Sequence, residues 1–393
     1  MQSIVFAYEE PLRGKEYLIN HVNYKHLSDI RQNENYIYPI AINVVNDRSR
    51  NRHFFNTFKD IGFNNLSERV ISDVKNGNSK IVILFPSEGC TTKKELTILE
   101  NWCKDKCFTK KQVYLIHGNH KLEGSDYFTY ISINFFLGWV FVSDNFKFDY
   151  KPVDSKNIFL CYNRRRTYAR TVLVCELLEN NIFNRGLISY LNFTYTYTSI
   201  NESINESIYN HAEYKNRNYL SNLQSGLSIL NNIEPVLLDI TDINFNPAHN
   251  LILEHYQQTL LSIVTETVNE PDIMFFSEKT WKPIAAGHPF ILVSSIGSLA
   301  ELKKLGYRTF NKWWSEEYDN ESNINIRINM IVKELIKLSN LSTIDLINMR
   351  NDMIEVVDFN RKLFNSYRNQ NVKTVLYSKV ESIWNDFNLK QNI

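Results

Sequence analysis

Cysteine, glycine and proline are scarce in this 393-residue chain, which has 5, 12 and 9 of them respectively. A small, odd number of cysteines argues against a disulfide framework and fits a reducing compartment. The scarcity of glycine and proline, beside 22 tyrosines and 24 phenylalanines, argues against a disordered or fibrous chain. We therefore expect a globular protein, and the length predicts two domains.

An excess of charge of either sign is also absent, because 44 Lys and Arg stand against 43 Asp and Glu. Nucleic-acid binding would therefore need a local basic patch, since the bulk charge provides no long-range attraction. No apolar run approaches about 18 residues, and the first residues lack a signal-peptide pattern. We expect a cytoplasmic protein without a membrane span. Cys90, Cys103 and Cys107 lack a fourth ligand at zinc spacing, so no metal site is predicted.

Apolar runs alternate with helix-like segments along the chain. In the first half, runs at 81–85 and 113–116 flank a helical segment at 92–106. A second series then follows, with predicted strands at 158–162, 260–265 and 289–293, a short strand near 308–310, and helices at 167–180, 277–286 and 299–305. This alternation predicts parallel sheets covered on both faces. Ser298 and Glu301 form a predicted capping box for the last helix.

The chain thus reads as an α/β protein with two Rossmann-like domains. We expect an N-terminal domain over residues 1–150, a second domain over 151–370, and a C-terminal helix over 371–393 that packs back on the N-terminal domain. The Asn-rich stretch up to about Asn232 is expected to be a surface excursion.

The segment 275–293 carries the richest chemistry. Ser277 is a plausible N-cap of a helix, which would present free N–H groups at the carboxyl edge of a parallel sheet. Such a helix end suits a diphosphate, to which Lys279 and Lys282 add positive charge. Glu278 is of the type that accepts hydrogen bonds from ribose hydroxyls. The alternative is that Glu278 and Lys279 are exposed first-turn residues of an ordinary helix.

A second signal is the turn Asn163-Arg164-Arg165-Arg166, which lies between a predicted strand and a predicted helix. Cations at the positive end of a helix dipole are unfavourable unless an anion offsets them. Arg164, Arg165 and Arg166, with Arg170 one turn later, therefore predict an anion site. The alternative is an exposed basic turn whose charges point into solvent.

The segment Phe276-Ser277-Glu278-Lys279 resembles the aromatic-x-Glu-Lys donor motif of the α-1,3-fucosyltransferase family, although Phe stands where Tyr is usual. The longer stretch 277–291 is similar to a group of phage and bacterial glycosyltransferase-like proteins. This resemblance implies the GT-B fold, in which two Rossmann-like domains face across a cleft. It further implies that Glu278 contacts the donor ribose, while Lys279 and an Arg of the 164–166 turn contact the diphosphate.

The expected reaction is transfer of a sugar from a nucleotide diphosphate sugar to a glycan, protein or modified-DNA acceptor. No Asp-x-Asp triplet occurs, so metal-independent transfer is expected, with cations and helix dipole stabilising the leaving group. Glu88, after the strand ending at Phe85, is the first candidate for the base. His117, after the next strand, is a further catalytic candidate in the same cleft, with acceptor binding as its alternative role. Glu266 is a further donor-side carboxylate. Each of these residues could instead have no chemical role.

Two alternatives to a general glycosyltransferase remain open. One is a phage DNA glycosyltransferase acting on a hydroxymethylated base, which would use a basic groove near Lys93-Lys94 and residues 104–111. The other is a non-catalytic nucleotide- or glycan-binding module, which would not hydrolyse the donor. The aromatic pair Trp313-Trp314 and the acidic residues after it could stack on a sugar or form an ordinary surface turn.

Overall fold

The computed structural model describes residues 4–9, 23–41, 66–85, 93–137, 140, 157–163, 167–190, 224–232, 236, 238, 251–369 and 372–388. The chain divides into two compact units. Unit 1 comprises residues 1–135, 272–275 and 368–393, and unit 2 comprises residues 136–271 and 276–367. Each unit contains a parallel β-sheet, so the predicted α/β class with two sheets is confirmed.

Among the described residues, the sheet of unit 1 has six parallel strands in the order β2-β1-β3-β4-β5-β6. The strands are β1 (Val5–Tyr8), β2 (Asn23–His26), β3 (Tyr36–Ala41), β4 (Ser79–Phe85), β5 (Val113–His117) and β6 (Thr129–Ser132). Every residue of β4 and β5 is buried, as expected for strands covered on both faces. Their continuous apolar composition made them readable from the sequence.

Three helices of unit 1 are described: α1 (Glu68–Asn76), α2 (Lys93–Asp105) and α10 (Val372–Asn388). Helix α10 comes from the far end of the chain, yet its apolar residues Leu376, Val380, Ile383, Trp384 and Phe387 belong to the core of this sheet. The buried Lys80 of β4 donates from Nζ to the carbonyl oxygen of Ile383 (2.8 Å). Its ammonium also lies 4.7 Å from the centre of the Phe387 ring. Helix α10 is therefore part of the unit 1 core.

In unit 2, four described strands form a second parallel sheet in the order β10-β9-β7-β8. These are β7 (Phe159–Asn163), β8 (Gly186–Tyr190), β9 (Leu261–Thr265) and β10 (Phe290–Val293). The chain adds β8 on one side of β7 and then returns to add β9 on the other. The crevice at the carboxyl ends of β7 and β9 is thus a topological switch point, where open α/β sheets bind ligands.

The helices of unit 2 cover this sheet. They are α3 (Tyr168–Glu179), α4 (Gln224–Asn232), α5 (Leu253–Gln257), α6 (Glu278–Ala285), α7 (Ser298–Lys304), α8 (Ile324–Ser339) and α9 (Thr343–Asn369), whose last two residues fall in unit 1. Helix α4 corrects the expected surface excursion for residues 224–232, because Leu230 is buried and Gly226 packs on Cys175. A Cβ at Gly226 would lie 2.8 Å from the Cys175 carbonyl oxygen.

Two local expectations in unit 2 are wrong. Residues 308–310 do not form a strand, because side chains satisfy their backbone groups: Asn360 bonds both the N–H and the C=O of Arg308, and Glu316 accepts the N–H of Phe310. Ser298 does not cap α7, which begins after Gly297. The carboxylate of Asp319 instead accepts the N–H groups of Leu299 (3.0 Å) and Ala300 (3.2 Å).

Candidate functional site

A buried polar network occupies the carboxyl ends of β7 and β9. Thr265 donates from Oγ1 to Oδ1 of Asn163 (2.6 Å), which joins the last residues of the two strands. The guanidinium of Arg170, on the first turn of α3, donates to Oγ1 (3.2 Å) and to the carbonyl oxygen (2.9 Å) of Thr265. All three side chains are buried. The switch point therefore contains a fixed cation whose position depends on two strands and a helix.

Glu266 follows β9 directly and is fully buried. Its Oε1 accepts the N–H of Ser277 (3.0 Å) and the hydroxyl of Thr280 (2.6 Å), while Oε2 accepts the Ser277 hydroxyl (2.6 Å). The carboxylate thus lies at the positive end of α6, where a negative charge is favourable. Glu266 connects the end of β9 to the first turn of α6. Because Glu278 and Lys279 directly follow Ser277 in the chain, this connection holds them at the sheet edge.

Ser277 is the N-cap of α6, as the sequence predicts, and its Oγ accepts the N–H of Lys279 (3.2 Å). Behind this turn, Trp281 anchors the helix: its Nε1 donates to the carbonyl oxygen of Phe276 (3.1 Å), and its ring packs near those of Tyr307 and Phe364. Gly287 ends the helix in a left-handed conformation (φ 64°) that suits glycine. The first turn of α6 is therefore held from both sides.

Glu278 and Lys279 form an ion pair, with 2.8 Å between Lys279 Nζ and Glu278 Oε1. The Glu278 side chain is only 13% exposed and that of Lys279 is 28% exposed. Burial alone would raise the pKa of Glu278, but the charge and hydrogen bond of Lys279, aided by Lys282, outweigh it and hold that pKa below the usual value. Glu278 is thus an ionised acceptor at neutral pH. The alternative that these residues are ordinary exposed first-turn residues does not fit this burial.

Lys282 lies one turn further along α6 and is buried. The structure therefore brings together Glu266, Ser277, Glu278, Lys279 and Lys282 around one helix turn. Arg170 belongs to the same unit and lies at the neighbouring strand end. It was recognisable from the sequence only as part of the basic turn after β7. The sequence assigned no role to Asn163 beyond its place in that turn and no role to Thr265, because a single Asn or Thr at a strand end is common.

Four of the remaining candidates, Glu88 and the run Arg164, Arg165 and Arg166, lie outside the described residues. Their roles as base and as diphosphate ligands stay predictions. The basic groove predicted near residues 93 and 104–111 contains lysines that have acidic partners. Lys104 is paired with Glu100 (2.9 Å), and Lys110 lies 3.7 Å from Asp126. Acidic neighbours thus reduce the positive potential of that surface.

His117 ends β5 in unit 1 and is fully buried. Its ring stacks on Phe85, with 4.9 Å between the ring centres, and its Nδ1 accepts the N–H of Asn119 (3.0 Å). Burial lowers the pKa of His117 to about 3, so the ring is neutral. These contacts give His117 a role in fixing the turn after β5. Its assignment as a catalytic residue stays a prediction that none of these contacts supports.

Asn119, in the same turn, has a role that the sequence did not indicate. Its Nδ2 donates to the carbonyl oxygen of Asp272 (3.0 Å), and its Oδ1 accepts the N–H of Met274 (2.9 Å). The N–H of His120 also bonds the Met274 carbonyl oxygen (2.7 Å). This turn therefore holds residues 272–274, which belong to unit 1 although they lie far from it in the chain.

No protein-family model and no curated protein matches this chain. Within the part of the chain that the structure describes, none of the helices is both long enough and apolar enough to cross a membrane.

Proposed function

We propose that this protein is a nucleotide-sugar-dependent glycosyltransferase whose donor site lies at the first turn of α6. One observation carries the proposal: the ionised, largely buried Glu278 and its partner Lys279 stand at a rigid helix N-terminus on the carboxyl edge of a parallel sheet. This edge is where doubly wound sheets bind nucleotides. The resemblance of residues 276–279 to the fucosyltransferase donor motif agrees with the same assignment.

In this proposal Glu278 accepts hydrogen bonds from the ribose hydroxyls of the donor. A carboxylate suits this task because it is an acceptor only, and the low pKa of Glu278 keeps it in that form. Lys279 shares its charge between Glu278 and the donor, since its side chain is still 28% exposed. Glu266 does not contact the donor. It positions the turn, because all the described hydrogen bonds of its side-chain carboxylate go to Ser277 and Thr280.

During transfer, the bond between the anomeric carbon and the diphosphate oxygen breaks while the acceptor hydroxyl oxygen bonds to that carbon. The acceptor proton passes to a base, for which Glu88 is the predicted residue. The leaving diphosphate gains negative charge, and Lys279, Lys282 and Arg170 are the cations of this unit that we assign to stabilise it. We further propose that the two units correspond to the two domains of a GT-B enzyme.

A thermal-shift screen tests the donor site. The purified chain is heated with UDP, GDP, ADP and CMP and with their sugars, in parallel with Glu278→Gln and Lys279→Ala. A ligand at about one hundred times its dissociation constant stabilises by roughly 2.7 kcal/mol. We expect one nucleotide to stabilise the wild type and to lose its effect on both variants. Stabilisation of all three proteins alike would place the nucleotide elsewhere.

A matched control is the pair Glu334–Lys337 on α8, in which the glutamate side chain is also 13% exposed and the charges are 2.7 Å apart. Glu334→Gln and Lys337→Ala should keep the full nucleotide response. Release of free sugar from the responding donor, measured with and without EDTA, then separates an enzyme from a binding module and tests whether a metal is required. Stabilisation without any hydrolysis or transfer would favour the binding module.

A further inference from the structure

A shallow depression on unit 2 is lined by Trp313, Asn348, Met349, Asn351 and Asp352, and its volume is about 560 Å³. Trp313 comes from the loop after Phe310, and the other four residues come from the first half of α9. Asn348, Asn351 and Asp352 have i, i+3, i+4 spacing, so their side chains share one face of the helix. We propose that this depression binds a neutral sugar ring, as a glycan site separate from the donor site.

The indole of Trp313 is held in a fixed position. Its Nε1 donates to Oδ2 of Asp352 (3.1 Å), so its one polar group is satisfied. Lys312 donates to the same oxygen (2.6 Å), and its ammonium lies 5.1 Å from the centre of the indole ring. A rigid, half-buried indole offers a large apolar surface at little entropic cost, which suits the C–H face of a sugar.

The polar groups around the indole match a polyhydroxylated ligand. Asn348 and Asn351 are exposed, and within the described part of the chain neither amide side chain has a hydrogen-bond partner. An amide both donates and accepts, so it can bond a hydroxyl in either sense. Both described hydrogen bonds of Asp352 use Oδ2, which leaves Oδ1 as a further acceptor.

The charge of the residues that line the depression favours a neutral sugar over charged ligands. Asp352 is the one charged residue among the five that line the depression, and Lys312 balances it at 2.6 Å. A neutral surface gives no particular attraction to a phosphate or to a cation. A neutral ligand with an apolar face and a hydroxylated rim fits best.

This site is distinct from the donor site. Helix α9 contacts α6 through Phe364, whose ring stacks on Trp281 at 6.3 Å. Met349 precedes Phe364 by fifteen residues, which corresponds to about 22 Å along a helix axis. A sugar in the depression therefore does not occupy the first turn of α6, and the inference does not depend on the glycosyltransferase assignment.

The probes are the methyl α- and β-pyranosides of glucose, galactose, mannose, fucose and N-acetylglucosamine. Binding to the full chain is measured by saturation-transfer NMR and then by calorimetry. The glycoside concentration is about ten times a dissociation constant in the millimolar range. The test variant is the double substitution Asn348→Ala with Asn351→Ala, which changes only exposed side chains. The control is Asn76→Ala, an exposed asparagine at the end of α1 in unit 1.

We expect at least one glycoside to bind, the double variant to weaken that binding at least about tenfold, and Asn76→Ala to leave it unchanged. The double variant should keep any thermal response to nucleotides, which distinguishes this site from the donor site. The proposal is overturned if no glycoside binds, or if the double variant binds like the wild type. Binding of adenosine or uridine with the same dependence on Asn348 and Asn351 would also overturn it.

Discussion

The carboxylate of Glu266 accepts both the backbone N–H and the hydroxyl of Ser277, at 3.0 and 2.6 Å. The residue directly after β9 thereby binds the N-cap of a helix, and that N-cap lies eleven residues later in the chain. The same side chain accepts the hydroxyl of Thr280, so three donors converge on one buried carboxyl group. The orientation of Glu278 and Lys279 depends on this arrangement.

Replacement of Glu266 by Gln is expected to lower the free energy of unfolding by about 1.5–3 kcal/mol, because an amide cannot accept from three donors and loses the charge that strengthens them. Urea denaturation measures the loss. Glu334→Gln is the control, with an expected cost below about 1 kcal/mol because the side chain of its partner Lys337 is 69% exposed to solvent. Equal losses in the two variants would show that Glu266 has no special role.

Acid stability should depend on His288. This residue is buried, its Nδ1 lies 2.9 Å from Ser262 Oγ, and its Nε2 lies 3.0 Å from the Thr259 carbonyl oxygen. Burial lowers the pKa of His288 to about 3, against an ordinary value of 6.5. Between these two pKa values, His288 therefore binds a proton in the unfolded chain but not in the folded chain. The stability from this group is complete above about pH 6.5 and is lost as the pH falls towards 3.

Each such buried histidine adds about 1.4 kcal/mol per pH unit to the slope of the free energy of unfolding against pH, in the acid part of this window. His288→Gln should reduce the slope of unfolding free energy against pH by that amount, measured by denaturation between about pH 5.5 and 4. The exposed His26 is the control, because a loss of slope in His26→Gln as large as that in His288→Gln would show that burial of His288 is not the cause. An unchanged slope in His288→Gln would contradict the neutral, buried state of the ring. His117 contributes with the same sign.

Lys80 is expected to hold α10 on unit 1. Lys80→Met keeps most of the buried aliphatic volume but removes the hydrogen bond to Ile383 and the charge beside Asp386 and Phe387. The expected cost is about 1–3 kcal/mol, with faster hydrogen exchange in residues 376–387. Lys75→Met, at the exposed end of α1, is the control. If α10 exchanges equally slowly in both variants, apolar packing alone accounts for its docking.

Gly226 allows α4 to approach the backbone of α3. Gly226→Ala would gain up to about 1 kcal/mol in helix propensity. The new Cβ, however, would lie 2.8 Å from the Cys175 carbonyl oxygen, and such overpacking costs about 1–3 kcal/mol. We expect net destabilisation in a thermal melt, whereas Ser228→Ala, exposed on the same helix, should be neutral or slightly stabilising. A stabilised Gly226→Ala would show that the two helices can separate without cost.

Several elements were readable from local sequence. The apolar runs at 81–85, 113–116 and 289–293 form strands, because strands of a parallel sheet that is covered on both faces are buried and carry apolar residues at successive positions. Ser277 is an N-cap as predicted, since an N-cap hydroxyl bonds backbone groups two or three residues ahead. The functional assignments of Glu278 and Lys279 remain predictions.

Other features were decided by contacts between distant residues. Asp319, and not the nearby Ser298, caps α7, and the side chain of Asn360 takes the place of a strand partner at Arg308.

The sequence by itself determined where the chain is apolar enough to form buried strands and where a helix can begin, because these depend on neighbours within a few residues. Only the tertiary structure decided which polar groups lose their water. Glu278 is held as an ionised acceptor by burial beside Lys279, while His117 is neutral because it is enclosed between Phe85 and the turn at Asn119. The cost of removing a charge from water depends on the surrounding atoms, and these come from parts of the chain that local sequence does not connect.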